Sequence, residues 1–501
     1  MAFKRSAGIL LHPTSLPGPY GIGTLGKHAF AFIDFLASAG ISLWQILPLG
    51  PTGYGDSPYQ SLSAFAGNPY LIDPDMLSKE GLISKDLLEE SVQPNRGTID
   101  FGKLFHEKNR MLDEAWKQFN REGSSTAKLA FEEFSLRNAS WLDDFSIFMA
   151  IKESLNHCSW TNWPEALKTR NIKALKEFNS SHQDRVQRYK FVQFLFFQQW
   201  SSVKAYANAA GIRIIGDIPI FVALDSADTW AHPELFQLDE HHTPTKVAGV
   251  PPDYFTATGQ LWGNPLYDWE AIRLRDYSWW IERIESTLKM VDILRIDHFR
   301  GFESYWAVPA GETTAINGCW EPGPGRELFD TIEANLGPLP IIAEDLGFVT
   351  KEVQELRDKL GFPGMRILQF AFENEGENID YPHTYVRNSV VYTGTHDNDT
   401  CRGWLNHANA DARFRALRYL ESDEETYSWD MIRTAWASCA DLAIAPMQDF
   451  LNLGSESRMN FPGKAGGYWT WRMADNCLSP ELAERIRMLG KTFFRIGEKT
   501  E

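Results

Sequence analysis

The chain has no long apolar run, no basic stripe and no paired cysteines, and each absence removes a class of function. No stretch reaches about 18 consecutive apolar residues, so nothing in the sequence reads as a membrane span. Residues 1–12 carry two basic side chains but no apolar core and no cleavage-like site, so no signal peptide is expected. Five cysteines (Cys158, Cys319, Cys401, Cys439 and Cys477) are too scattered for a zinc site or a disulfide framework. They are expected to be buried free thiols in a reducing compartment, which predicts a soluble cytoplasmic protein. A formal charge of −17 leaves no surface suited to neutralising phosphates, so nucleic acid is not an expected partner. Neither a cofactor nor a metal is expected, and the oligomeric state is left open.

What the sequence does contain is length, apolar residues and tryptophan. A chain of 501 residues that is 43% hydrophobic and 23% charged is long enough for a catalytic domain with large insertions. Eighteen tryptophans allow two readings, core packing or flat faces for sugar rings. Eight short apolar, β-branched runs recur between amphipathic stretches. They are Ala7 to Leu11, Ser42 to Leu47, Arg213 to Ile218, Ile293 to Asp297, Pro340 to Glu344, Met365 to Phe370, Val390 to Thr395 and Leu442 to Pro446. That alternation predicts a (β/α)8 barrel. Helices are predicted from Lys27 to Ala39, from Thr350 to Leu360 and from Glu481 to Phe493. The gap between the second and third runs predicts a mostly helical insertion over about 67–183, above the C-terminal face of the barrel. A second insertion over about 224–267 is expected to be loop-rich and to form a lip on the active site. The last residues follow the eighth unit too closely to leave room for an appended C-terminal β-domain.

In such barrels chemistry sits at the C-terminal ends of the strands. Here those ends read Gly216-Asp217, Arg295-Ile296-Asp297-His298, Ala343-Glu344-Asp345 and Thr395-His396-Asp397-Asn398-Asp399. Arg295 and Asp297, two residues apart on a strand, project to one side. Carboxylates without a metal-ligand cluster point to glycoside chemistry, in which one carboxylate attacks and a protonated carboxyl donates to the leaving oxygen. Neighbouring parallel strands lie about 4.8 Å apart, compatible with the roughly 5–5.5 Å of a retaining pair if both side chains point inward. Asp297, with Arg295 on its face, suits a nucleophile, and Glu344, approached through Ile341, Ile342 and Ala343, suits an acid of raised pKa. Asp397 is the candidate third carboxylate, placed to hold sugar hydroxyls. Tyr59, Asp217 and His396 are candidate partners of the same sugar, with satisfied rim residues the lesser alternative for Tyr59 and Asp217. Tyr254 and Phe255, in the Pro251-Pro252 segment, together with Trp262 form either an aromatic lip or an ordinary surface loop; Tyr54 is a candidate for more distant contact.

At these residues the chain resembles the α-amylase superfamily, and within it the amylomaltase (4-α-glucanotransferase, disproportionating enzyme) family. The resemblance rests on Leu294 to Gly301, Ile342 to Gly347 and Gly394 to Thr400. It rests more specifically on Gly8 to Pro17, on Ser57 to Gln60 with Ala66 to Tyr70, and on Gly259 to Pro265. It implies Asp297 as nucleophile, Glu344 as acid/base and Asp397 as transition-state stabiliser, with Tyr59, Asp217, Arg295 and His396 against the sugar. It also implies a lid-like role for the segment around Tyr254. The expected partners are maltooligosaccharides and α-1,4-glucans derived from starch or glycogen, moved onto a sugar 4-hydroxyl. A hydrolase of the same superfamily and an inert glycan-binding scaffold are the alternatives.

Overall fold

A computed structural model describes residues 3–53, 55–252, 256–464 and 466–496. Each of the eight apolar runs contains a strand of one closed parallel barrel. In chain order these are β1 (Ser6–Leu10), β2 (Leu43–Gln45) and β3 (Arg213–Pro219). After β4 (Lys246–Val250) and β5 (Gln260–Pro265), which lie elsewhere, comes β6 (Ile293–Asp297). Then, past β7 (Ser304–Pro309) and β8 (Cys319–Pro322), come β9 (Ile341–Ala343), β10 (Gly364–Ile367), β11 (Ser389–Tyr392) and β12 (Leu442–Pro446). Successive barrel strands are neighbours, and β12 pairs with β1 to close the ring, Ser6 opposite Leu442 through Leu10 opposite Pro446.

Two arginines hold that seam. The guanidinium of Arg495 is fully buried and donates to the carbonyls of Ser6, Trp436, Ser438, Ala440 and Asp441. Arg5 donates to the carbonyls of Trp436, Ser438, Ala440 and Phe493. Together they satisfy the carbonyls left free at the end of helix Tyr427–Ala437, which would otherwise be buried without donors. Inside the ring, contacts run between strands that are not neighbours. Tyr392 donates to Gln45 at 2.9 Å, and Arg295 Nε lies 3.4 Å from Met365 Sδ. The interior is therefore packed and partly polar rather than open.

The crossover helices follow from sequence. Helix Lys27–Ser38 buries Ala29, Phe32, Ile33, Phe35 and Leu36, and Gly40 takes the left-handed φ of 72° that lets the chain turn into β2. Helix Lys351–Leu360 starts after Thr350 and ends on Gly361 at φ 70°. Between β2 and β3 the chain is largely helical, with long members at Phe101–Glu122, Ser125–Arg137 and Ala139–Ser154. Helix Gln183–Ala209 brings it back to the barrel. That helix buries two glutamines for a specific reason. Gln193 makes a two-way amide pair with Gly67, and Gln199 accepts from Asp73 N at 2.7 Å, so both irregular backbone segments are satisfied. Phe196 lies so close over Gly67 that a Cβ there would come within 1.9 Å of the ring.

Two expectations need correction. The segment expected to be loop-rich contains β4 and β5, which join β7 and β8 in a four-stranded antiparallel sheet of order β5-β4-β7-β8. Glycine and proline within Lys246–Val250 and Gln260–Pro265 hide the strands, and β4 takes its second partner, β7, from well beyond the segment. The cysteines are free, but only Cys401 is buried; Cys319, on the edge strand β8, and Cys439 are exposed. Among the described residues no helix is long and apolar enough to cross a membrane.

Candidate active site

The parallel register brings the acidic strand ends together. Asp217 on β3 stands opposite Arg295 on β6, and Ile296 opposite Ala343, so Asp297 and Glu344 leave neighbouring strands at one level. Arg295, buried, bridges two carboxylates. Its Nη1 lies 2.5 Å from Asp217 Oδ2 and its Nη2 3.0 Å from Asp297 Oδ1. Burial opposes its charge, but Asp217 and Asp297 outweigh that and hold its pKa well above the ordinary value. Burial also pushes Asp217 upward, against the pull of Arg295. Among the described residues its other oxygen, Oδ1, has no donor, so Asp217 depends on the Arg295 pair and on Tyr59, whose hydroxyl donates to Oδ2 at 2.8 Å.

Glu344 is buried at the end of β9. The backbone N–H of His298 donates to Oε2 at 2.6 Å, and that of Leu346 to Oε1 at 2.8 Å. Such donors favour the charged carboxylate, yet burial, reinforced by the negative charge of Asp297, wins and raises the pKa to about 8. His298 reaches Glu344 only because its backbone adopts a left-handed φ of 53°, a conformation that costs a non-glycine residue on the order of 1 kcal/mol or more. Burial first, then Arg300, lowers the pKa of its ring to about 3, so the imidazole is neutral.

Asp397 is held from the loop after β12. Asn460 Nδ2 donates to Asp397 Oδ1 at 2.6 Å, Asn460 N donates to the carbonyl of His396 at 3.1 Å, and Arg458 donates to the carbonyl of Asp397. His396 Nε2 lies 3.5 Å from Asp397 Oδ1, and burial lowers the pKa of the ring, leaving it neutral. The His396 ring stacks on Tyr59 with centroids 5.0 Å apart and 14° between planes, and Trp469 leans on both. Asp345, next to Glu344, belongs to a different set. It pairs with Arg357 and accepts from Met365 N at 2.7 Å, tying the following helix to β10.

The structure thus gathers Tyr59, Asp217, Arg295, Asp297, Glu344, His396 and Asp397 at one mouth of the barrel. Trp262 on β5 is half-buried and meets the His298 ring edge-on, 4.7 Å between centroids. Tyr54, Tyr254 and Phe255 lie outside the described residues. Sequence reasoning missed the His298 amide, Asn460, Arg458 and Trp469. Asn460 and Arg458 carry no periodic signal, and a backbone amide has no residue type to betray it. Among the described residues no three His, Cys, Asp or Glu side chains converge as metal ligands.

The family model for 4-alpha-glucanotransferase, of glycoside hydrolase family 77, matches residues 11–478. The chain belongs to that family. A 4-alpha-glucanotransferase of Thermus thermophilus is 49% identical over 99% of this chain and 100% of its own length. A chloroplastic/amyloplastic one of Solanum tuberosum is 45% identical over 98% and 87%. Among solved structures, the amylomaltase from Streptococcus agalactiae in complex with acarbose superposes with a TM-score of 0.95. It is 42% identical, over 99% of this chain and 100% of that one. Family members of this kind transfer glucan segments, and the hydrolase reading is not favoured.

Proposed function

We propose that the chain carries out 4-alpha-glucanotransfer between α-1,4-glucans by double displacement, with Asp297 as nucleophile and Glu344 as acid/base. The observation that supports it is the pairing of unlike carboxyl groups on neighbouring strands: Asp297 in an ion pair with Arg295, and Glu344 buried with its pKa raised to about 8. An Asp297 oxygen attacks the anomeric carbon as the glycosidic C–O bond breaks, and the Glu344 proton passes to the leaving oxygen. Glu344, now a carboxylate, takes the proton of an acceptor 4-hydroxyl. The acceptor oxygen attacks the same carbon, Asp297 leaves, and the configuration is retained. Asp397, held by Asn460, hydrogen-bonds hydroxyls of the distorted ring, and Tyr59, Asp217, Arg295 and His396 shape the same subsite.

Transfer prevails over hydrolysis where acceptor contacts position the 4-hydroxyl better than water is positioned. Segment 224–267, with Trp262, Tyr254 and Phe255, supplies that lip in this reading, and segment 67–183 forms a helical subdomain above the barrel. Tyr54 serves a more distant part of the glucan. A cytoplasmic location fits five unpaired cysteines. Incubation with maltotriose, with products resolved by length over time, tests the function. Glucose with a ladder of longer maltooligosaccharides is expected. Glucose and maltose alone would make the chain a hydrolase, and no change would remove the reading.

A further inference from the structure

Two aromatic side chains lie exposed near the loop that carries Glu344, and nothing in the chemistry above uses them. Phe348 follows Glu344 by four residues and is 65% exposed; Trp320, on the edge strand β8, is 36% exposed. Their rings are nearly parallel, 19° between planes with centroids 6.4 Å apart. Trp306 stands opposite Trp320 in the β7–β8 register and meets it edge-on at 5.1 Å, extending the surface inward.

The pair is fixed from beneath. Arg300, three residues after Asp297, is buried with its guanidinium 3.7 Å from the Trp320 ring centroid and 5.7 Å from that of Phe348. It also donates to the Phe348 carbonyl and, through Nη2, to Ser304 Oγ at 3.1 Å. A buried cation under one ring and bonded to the backbone of the other sets both orientations before any ligand arrives. Solvent-exposed aromatic surface fixed in this way marks a binding surface more than a packing remnant.

We propose that Trp320 and Phe348 form a stacking platform for the acceptor side of the glucan. The proposal rests on the functional reading above. Glu344 protonates the oxygen of the leaving sugar, so that sugar, and later the acceptor, lies on the Glu344 side of the cut. An extended chain gains about 3.3–3.6 Å per residue, so the Phe348 Cα lies within about 14 Å of that of Glu344, a reach of a few sugar units. An acceptor that reacts through its 4-hydroxyl extends away from the cut with its reducing end outward, across this surface. Glucose is too short to reach it.

The test compares acceptors. With amylose as donor at one fixed concentration, transfer to radiolabelled glucose and to radiolabelled maltotetraose gives an acceptor KM for each. In the Trp320→Ala/Phe348→Ala variant the ratio of maltotetraose KM to glucose KM is expected to rise by about fivefold or more, as befits loss of one or two aromatic contacts. Trp320→Tyr/Phe348→Tyr, which keeps flat rings, should restore the ratio. Both KM values rising together would mean a merely structural effect on the Glu344 loop, and neither moving would remove the platform; either overturns the proposal. A change in oligomeric state by light scattering would assign the patch to a second copy and overturn it too. If the unaltered chain transfers to neither acceptor, the functional reading itself falls. The platform is then judged by maltotetraose quenching of tryptophan fluorescence, and quenching undiminished in the double variant defeats it.

Discussion

Keeping Glu344 protonated should cost the folded protein stability, and the cost can be worked out. The carboxyl has a pKa of about 8 in the folded chain against 4.5 unperturbed, with burial the main cause and Asp297 second. Because the folded value is the higher one, the unfolded chain releases its proton first as pH rises. Stability from this group is therefore fully present below about pH 4.5, is lost progressively, and stops falling above about pH 8. At pH 7 the gap is about 2.5 units of pH, or about 3 kcal/mol, and above pH 8 it approaches about 5 kcal/mol. Glu344→Gln removes the titration. The hydroxyl oxygen of the neutral acid can still accept from one of the His298 and Leu346 N–H groups, whereas the amide nitrogen cannot, so the variant also carries a hydrogen-bond loss that does not change with pH. The stability of the variant relative to the unaltered protein should therefore be lowest near pH 4.5 and rise progressively above it. For 501 residues the unfolding entropy is about 1 kcal/mol per degree, so the Tm difference between variant and unaltered protein rises by about 3 °C from pH 4.5 to pH 7. Differential scanning calorimetry at one scan rate between pH 4.5 and 9 reads it. A Tm difference that stays flat across that range would refute the claim that burial holds the proton on Glu344. Asp297→Asn in the protein that keeps Glu344 should flatten its pH dependence in part, since Asp297 is the second cause.

The same pKa sets an activity limb: kcat/KM for maltotriose should decline about tenfold per unit above roughly pH 8, and a plateau to pH 10 would exclude Glu344 as the acid. Asp297→Ala should leave no measurable turnover in a maltotriose time course while its circular dichroism spectrum is unchanged, and retained activity would displace Asp297 as nucleophile. Asn460→Ala takes from Asp397 its 2.6 Å donor; kcat should fall about 10- to 100-fold, the worth of a hydrogen bond to a charged group realised in the transition state, and an unchanged kcat would reduce Asn460 to loop structure. Arg295→Lys replaces a fork that bridges Asp217 and Asp297 with a single ammonium. A kcat loss of about 100-fold is expected, compared with the parent in the same assay, and activity within twofold would show that one point charge suffices.

The barrel was legible because buried parallel strands must be apolar on both faces, so runs such as Ile293 to Asp297 stand out from helical stretches of a different period. The acidic ends were legible for the converse reason: Arg295 and Asp297 put charge where the run should have stayed apolar. The four-stranded sheet was not. Its strands are short and carry Gly249, Gly263, Pro265 and Pro309, and its two halves meet only through the distant β4–β7 pairing, so local pattern does not reveal it. The supports of the site were hidden for another reason. His298 acts through an amide aimed by backbone conformation, and Asn460 meets Asp397 only after the chain has gone round the last strand. Both are products of tertiary geometry.

The arginine-held seam between β1 and β12 has a consequence for how the molecule comes into being. Arg495 bonds to Ser6 across 489 positions of sequence. During synthesis, β1 emerges before β12 and waits, with the edge that β12 will cover open to water, until the chain through Pro446 has been made. No nascent chain that stops short of β12 can shut the ring, so such a stalled or clipped product presents a bare strand edge of the kind that seeds aggregation. The first barrel strand pairs early with β2 on one edge and is among the last to have its other edge covered.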